Sequence, residues 1–416
     1  MNPSKIKHLK YACYSTNVTM SVTTNLSPIL FLTFRTLYGI SYSMLGLLVA
    51  INFVTQLCID LIFSFFSHRF NIPKTVKAIP VIATAGFGLY ALLPTLFPNH
   101  AYLGLALGTV IFSAASGLAE VLISPVIAAL PADDPDREMS KLHSVYAWGV
   151  VGMVIFGTVF LLIGGPESWP WLTLVLMTIP ALSAVLFAGS EIPPMETPEK
   201  ASGALKLLKN RGVWLCVLAI FLGGASECTM AQWCSGYSEQ ALGVPKLWGD
   251  LFGVALFSVM LGTGRSLYAK IGKNIGKVLT LGAAGAAVCY FVAAVTGVPL
   301  VGLLACAVTG LCTSMLWPGS LVVASSRFPQ GGVFIYAMMA AGGDMGASVG
   351  PQLVGVITDG IMAAPWAAEL ADKLQITTEQ LGMKAGMLCG MLFPLAAIFV
   401  FLYIWKGQKK KCNNIM

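Results

Sequence analysis

The stretch Gly117 to Pro125, Gly-Leu-Ala-Glu-Val-Leu-Ile-Ser-Pro, sets one carboxylic acid, Glu120, in a run of otherwise small or apolar residues. Two more acids keep similar company: Glu227, six residues before Trp233, and Asp344, between Gly342 and Gly346. A fixed charge at the centre of a hydrocarbon layer costs from about 3 to more than 10 kcal/mol, so an acid persists there only with a reason. One reason is chemistry. Desolvation favours a neutral acid and rewetting favours its ionised form, so such a group picks up a proton in one setting and drops it in another. If a solute binds one protonation state better, the two fluxes are linked. Proton coupling is therefore the role expected of Glu120, Glu227 and Asp344. The competing reading of each is a structural hydrogen bond or ion pair, Arg265 being one partner open to Asp344. Amides and aromatic faces near these acids suit a polar, sugar-sized solute: Asn25, Asn52, Gln56, Tyr146, Trp148, Gln232, Trp233, Trp317 and Tyr336. Each taken singly also reads as packing or as an interfacial anchor.

The elements that must position these groups are membrane helices. Of 416 residues, 56% are hydrophobic and only 10% charged, against about 25% charged in soluble domains. Apolar stretches long enough to cross ~30 Å of hydrocarbon as helix recur along the chain. They are expected at 11–34, 42–66, 76–97, 101–130, 144–165, 169–190, 212–236, 248–269, 276–297, 299–327, 331–359 and 385–405, twelve in all. The alternating polarity of barrel strands is absent, and internal Gly and Pro are tolerable in packed spanning helices. The fold class expected is an all-α membrane protein. The basic start, MNPSKIKHLK, runs into the first span without a small-residue cleavage pattern, so that span reads as retained.

Lysine and arginine set the orientation. With both termini cytoplasmic, the 25 basic residues fall on the inner side except Arg35, Lys246, Lys373 and Lys384 outside and Arg265 within a span. The net charge of +7 thus belongs to topology and calls for no nucleic acid. Arg265 reads as a snorkelling residue, and Asp60, Asp250 and Asp359 as interfacial acids at helix ends. The ten cysteines are scattered as small buried hydrophobes. His8, His68, His100 and His143 are isolated, and Asp133, Asp134 and Asp136 read as a solvated acidic loop. No metal and no cofactor is expected. Segment 361–384 has the mixed polarity of an outer surface helix.

The longest polar interruption, Glu191 to Gly212, separates six spans from six, its second part suited to a short basic helix on the membrane. The division expected is 1–190, a linker 191–211, and 212–416. A repeat supports it: Gly117-Leu118 and Pro125 in span four answer Gly310-Leu311 and Pro318 in span ten, and Tyr146-Ala147 with Gly152 answers Tyr336-Ala337 with Gly342. Two matches in the same order point to a parallel duplication. The repeat prolines each free a backbone carbonyl and suit bending. In span eleven Gly342, Gly346 and Gly350 form a narrow face for a neighbouring backbone, with Asp344 about 200° round the helix from it.

Twelve helices in two six-helix halves with a basic central loop resemble the major facilitator superfamily along the entire chain. The superfamily's loop signature after span two survives as SFFSHRFNIPK, where Arg69 matches, His68 takes the aspartate place and Asn71 a glycine place. Its copy after span eight keeps Lys270, Gly272 and Lys273, with Ala269 in the acidic place. A narrower resemblance is to the fucose-permease branch of sugar:proton symporters. Glu120, Ser124 and Pro125 match that branch's span-four motif at two of its three marked places, Ser124 replacing asparagine. Asn25 to Leu30 is similar to its first-span motif, with Pro28 where the branch has a proton-carrying aspartate, and Glu227 with Trp233 looks like its acid and aromatic pair.

The function this implies is secondary active transport by alternating access, of a sugar or related polar metabolite, coupled to protons or, as the alternative, sodium. The partners are the solute, the ion and the bilayer, for a monomer in the cell membrane. Export of an amphipathic compound and a non-transporting sensor of the same fold are the other readings. A membrane enzyme would need a clustered catalytic set, and no H-E-x-x-H, G-x-S-x-G or nucleotide-binding loop occurs.

Overall fold

The computed structural model describes residues 3–66, 69–131, 135–193, 209–328 and 332–413. Linker residues 194–208, with their expected surface helix, and His68, Asp133 and Asp134 lie outside the described residues. So do the side chains of Tyr336, Asp136 and His143.

The described residues are helical throughout, without a strand. In chain order the helices are α1 (Pro3–Ile29), α2 (Phe31–Tyr38), α3 (Tyr42–Phe66), α4 (Ile72–Leu96), α5 (Ala101–Ala128), α6 (Pro135–Gly164), α7 (Trp169–Leu176) and α8 (Thr178–Ala188). There follow α9 (Arg211–Gln240), α10 (Leu256–Ile271), α11 (Ile275–Val295), α12 (Pro299–Thr313), α13 (Leu316–Arg327), α14 (Gly332–Met362), α15 (Ala367–Lys373), α16 (Thr378–Gly390) and α17 (Leu392–Asn413). A π-helical stretch, Gly249–Ala255, leads into α10. Among the described residues ten helices are long and apolar enough to cross a membrane, or eleven with Met338–Met362 and Ala367–Lys373, bent by 91°, taken as one span.

The helix expected over 11–34 is present as α1 and α2 but is not among those ten, and its composition explains why. It is rich in Ser, Thr and Asn. Those groups fold back onto their own helix: Thr16 Oγ1 donates to the Ala12 carbonyl, Thr19 Oγ1 to that of Ser15, and Asn25 Nδ2 to that of Ser21, at 3.0, 3.0 and 2.9 Å. Polar side chains satisfied this way are tolerable at membrane depth.

The chain divides into two compact units, Met1–Ile40 with Ile51–Ala201, and Ser41–Ala50 with Ser202–Met416. The first has a core of Leu9, Phe63, Ile79, Ile123, Val126 and Phe187 and their neighbours. That of the second includes Ile220, Leu279, Leu316, Met339 and Phe401. The repeat glycines mark equivalent helix crossings. At Gly117 a β-carbon would sit 3.1 Å from the Gln56 Cα on α3, and at Gly310 it would collide with the Phe257 carbonyl on α10. The span-eleven glycines behave as expected: Gly342, Gly346 and Gly350 lie against Val217, Phe221 and Ala225 of α9.

Asp359 of α14 closes the start of α3. Its carboxylate accepts from the backbone N–H groups of Tyr42 and Ser43, at 3.2 and 2.6 Å, and from Ser43 Oγ at 2.6 Å. The first N–H groups of a helix have no intrahelical acceptor, and an anion there is favoured by the helix dipole. An acid read as merely interfacial is thus the cap of another helix. Asp359→Ala is expected to cost about 1–3 kcal/mol and to lower the thermal midpoint of the detergent-purified protein, with Ser43→Ala lowering it less. A midpoint equal to wild type would mean the cap contributes nothing.

Candidate functional site

In the first unit two polar stripes face each other. Asn52, Gln56 and Asp60 recur every fourth residue of α3, and Thr109, Ser113, Ser116 and Glu120 recur every three or four of α5. Each set therefore occupies one side of its helix. Ser113 Oγ donates to Asn52 Oδ1 at 2.5 Å and Gln56 Nε2 reaches the same oxygen at 3.3 Å. Thr23 of α1 shares a hydrogen bond with Ser116 at 2.7 Å. These are short side chains, and they meet because Gly117 lets the backbones of α3 and α5 approach.

At the end of the stripes a carboxylate oxygen of Asp60 and one of Glu120 lie within 4.8 Å of each other. Asp60 is 3% exposed. Glu120 is set deep among the helices, yet its side chain stays open to water. Among the described residues no Lys, Arg or His forms a salt bridge with it. Two carboxylates this close repel when both are charged, and one proton or one small cation between them relieves the repulsion.

The second unit holds its acid differently. Pro318 has no N–H, so the Ser314 carbonyl loses its helical donor, and the helix breaks between α12 and α13 at that place. Arg265 Nε donates to this carbonyl at 3.1 Å. The same guanidinium pairs with Glu227 at 3.1 Å, the acid's side chain being 13% exposed. Trp317 lies against Gly224 and Gly343, where any side chain would collide with its ring. Trp233 is fully buried, its indole donating to the Pro351 carbonyl at 2.8 Å. Gln232 and Asp344 are buried, at 3% and 4% exposure.

The residues expected to form the site thus sort into groups. Asn52, Gln56 and Glu120 stand together in the first unit, with Asn25 buried on α1. Glu227 and Trp317 stand near Arg265 in the second. Tyr146 is half-buried, while Trp148 is 72% exposed on an apolar wedge beside α1 and α8. Arg265, read as snorkelling and as an open partner for Asp344, pairs instead with Glu227 and the Ser314 carbonyl while its side chain stays 43% exposed.

Two acids placed at helix ends are in fact buried. Asp60 belongs to the stripe, a role signalled by its spacing from Asn52 and Gln56. Asp250, fully buried in the π-helical stretch, accepts from Ser235 Oγ at 2.5 Å and pairs with Lys246 at 3.2 Å. No periodicity announced that cluster.

Comparison with known proteins bears on the family and the fold. The profile of the Major Facilitator Superfamily matches residues 12–351. Among solved structures, a bacterial homolog of the human lysosomal transporter Spinster, inward-facing and occupied, superposes with a TM-score of 0.74 at 12% identity, covering 96% of each chain. The D-xylose-proton symporter gives 0.72 at 17% identity, over 94% of this chain and 97% of that one. The fucose:proton symporter of E. coli gives 0.58 at 16% identity, over 95% and 98%. The likeness is to the superfamily at large rather than to the fucose-permease branch in particular. No curated protein sequence matches.

The Arg265–Glu227 pair is testable as a unit. Arg265→Ala and Glu227→Ala are each expected to lower the thermal midpoint, and the double variant to fall short of the sum by a coupling of about 1–3 kcal/mol. Strict additivity would show that the pair holds nothing.

Proposed function

Because this chain belongs to the major facilitator superfamily, and so is a secondary active transporter working by alternating access, we propose that it carries a sugar or related polar metabolite in symport with protons through Glu120. It is a transporter and not an enzyme. The full architecture we propose has twelve spans, α1 with α2 being the first, in an N-terminal bundle (1–190) and a C-terminal bundle (212–416) joined by a cytoplasmic linker. Both termini face the cytoplasm of a cell-membrane monomer, the side to which the basic residues incline.

The observation that carries the coupling role is the contrast between the two glutamates. Glu227 has a cation 3.1 Å away, which fixes its position. Glu120 has an open side, no basic partner among the described residues, and a second carboxylate within 4.8 Å. Such a pair takes up and gives back a single positive charge as its surroundings are wetted or closed. Asp60 is its companion in this reading, and Glu227 with Arg265 is a positioning pair.

A polar cargo is favoured by the amide and hydroxyl stripe of Asn52, Gln56 and Ser113, which offers donors and acceptors where a drug-like solute would need apolar walls. The span-four match to fucose-permease-type carriers and the likeness to xylose and fucose symporters point the same way.

In proteoliposomes the pure protein is expected to accumulate one member of a panel of labelled sugars under an imposed proton gradient. Glu120→Gln is expected to abolish that accumulation, a loss of about tenfold or more, while leaving exchange of labelled for unlabelled solute intact. Accumulation unaltered in Glu120→Gln would remove the residue from coupling, and accumulation driven by sodium alone would replace the proton.

A further inference from the structure

The first unit contains a cavity of about 550 Å³ that the polar stripes do not touch. It is a wedge between helices. Pro180 denies a donor to the Leu176 carbonyl, and the span breaks there into α7 and α8. α7 stays beside α6, whereas α8 packs on α1 and α4 rather than on α6. The two spans therefore diverge toward one end of the membrane. In the second unit, α14 and α16 pack directly on each other, Gly382 and Gly386 lying against Thr358 and Val354.

Val18 and Val22 of α1 form the floor, Trp148 and Phe156 of α6 one wall, and Ile179 the other. Its lining is apolar apart from the Thr178 hydroxyl and the Trp148 indole, which suits a hydrocarbon chain better than a solute rich in hydroxyls. At this depth the surrounding medium is hydrocarbon. Gly152 also lines the wedge, and a β-carbon there would meet nothing within 4 Å.

The mouth has a polar marker on the same face of α1. Counting back from Val18 in steps of three or four residues reaches Tyr14, Tyr11 and Lys7. The rings of Tyr11 and Tyr14 meet edge-on at 6.5 Å, and Lys7 Nζ lies 5.9 Å from the Tyr11 ring centre. Lys5 is taken by Glu191 at 2.8 Å, whereas Lys7 has no carboxylate partner among the described residues. Tyrosine and lysine are the side chains that settle at the headgroup level. From Lys7 to Val18 the helix rises about 16 Å, which a lipid tail spans.

We propose that this wedge is a lipid site: one acyl chain of an anionic phospholipid lies between α1, α6 and α8, with its phosphate at Lys7. The leaflet is the one at the N-terminus, which is cytoplasmic in the orientation proposed above. The lipid fills the gap left between α6 and α8 over α1, away from the polar stripes of α3 and α5.

The test is photolabelling of the full-length protein in nanodiscs, using phosphatidylglycerol with a diazirine in its acyl chain, followed by peptide mapping. Label is expected on 145–156 and 175–179. Gly152→Phe, which projects a ring from a position where a β-carbon meets nothing within 4 Å, is expected to reduce that label about fivefold or more. Lys7→Glu is expected to reduce labelling by phosphatidylglycerol and to spare labelling by phosphatidylcholine. Should Gly152→Phe fold poorly, Gly152→Leu serves in its place. Label on these segments that neither Gly152 variant reduces, or label confined to other segments, overturns the proposal, as does Lys7→Glu affecting both lipids alike. Proton-driven uptake is a separate readout, so failure here leaves the reading of Glu120 standing.

Discussion

A polar group that this chain takes into the membrane is served by a partner inside the protein or by water admitted to it, because hydrocarbon offers none. That requirement organises the molecule more than any single apolar contact. It makes the hydroxyls and amides of α1 turn back to their own carbonyls. It also governs what happens at Pro318. A proline in a soluble helix leaves a carbonyl that water can satisfy, but here the orphan at Ser314 is satisfied by Arg265, whose remaining donors then hold Glu227. One missing N–H thereby helps to orient a cation that also holds an acid on another helix.

Close approach is the second condition. Serine and threonine side chains are short, so Ser113 reaches Asn52 and Thr23 reaches Ser116 only where helices nearly touch. Gly117 supplies that approach for α3 and α5, as Gly310 does for α10 and α12. The duplicated motif is therefore a duplicated crossing, with a proline eight residues later in each copy. The copies have diverged at the position three residues after the glycine. The first has Glu120 there and the second has Thr313, which is buried and bonded to the Thr309 carbonyl of its own helix at 2.9 Å.

Sequence alone makes much of this legible, because hydropathy and period respond to the bilayer directly. The helix α3 begins and ends where its apolar run does, and most other spans agree to within a few residues. The first span is harder to read, since its polar residues are satisfied by its own backbone and hydropathy counts them as exposed. Asp60 was placed at a helix end because a lone acid near the end of an apolar run usually snorkels. Its spacing from Asn52 and Gln56 is a signal of the opposite kind, one polar residue per turn on one face. The pairing of Arg265 with Glu227 was beyond reach, for it depends on which way α10 and α9 turn toward each other. Trp148 lies on the apolar wedge rather than beside the polar stripes, since position in sequence near a polar cluster does not say which face of a helix an aromatic takes.

The two units thus dispose of buried charge in opposite ways. An acid paired with an arginine has its counter-charge beside it, and losing either partner would strand the other. Such a pair holds two helices in register. An acid with an open side and another carboxylate for its neighbour is in the reverse position. Its charge is opposed by that neighbour and favoured by water or by a cation. A carrier needs both kinds of group, one to keep its shape through the cycle and one whose charge follows the cycle. Glu227 has the surroundings of the first and Glu120 those of the second.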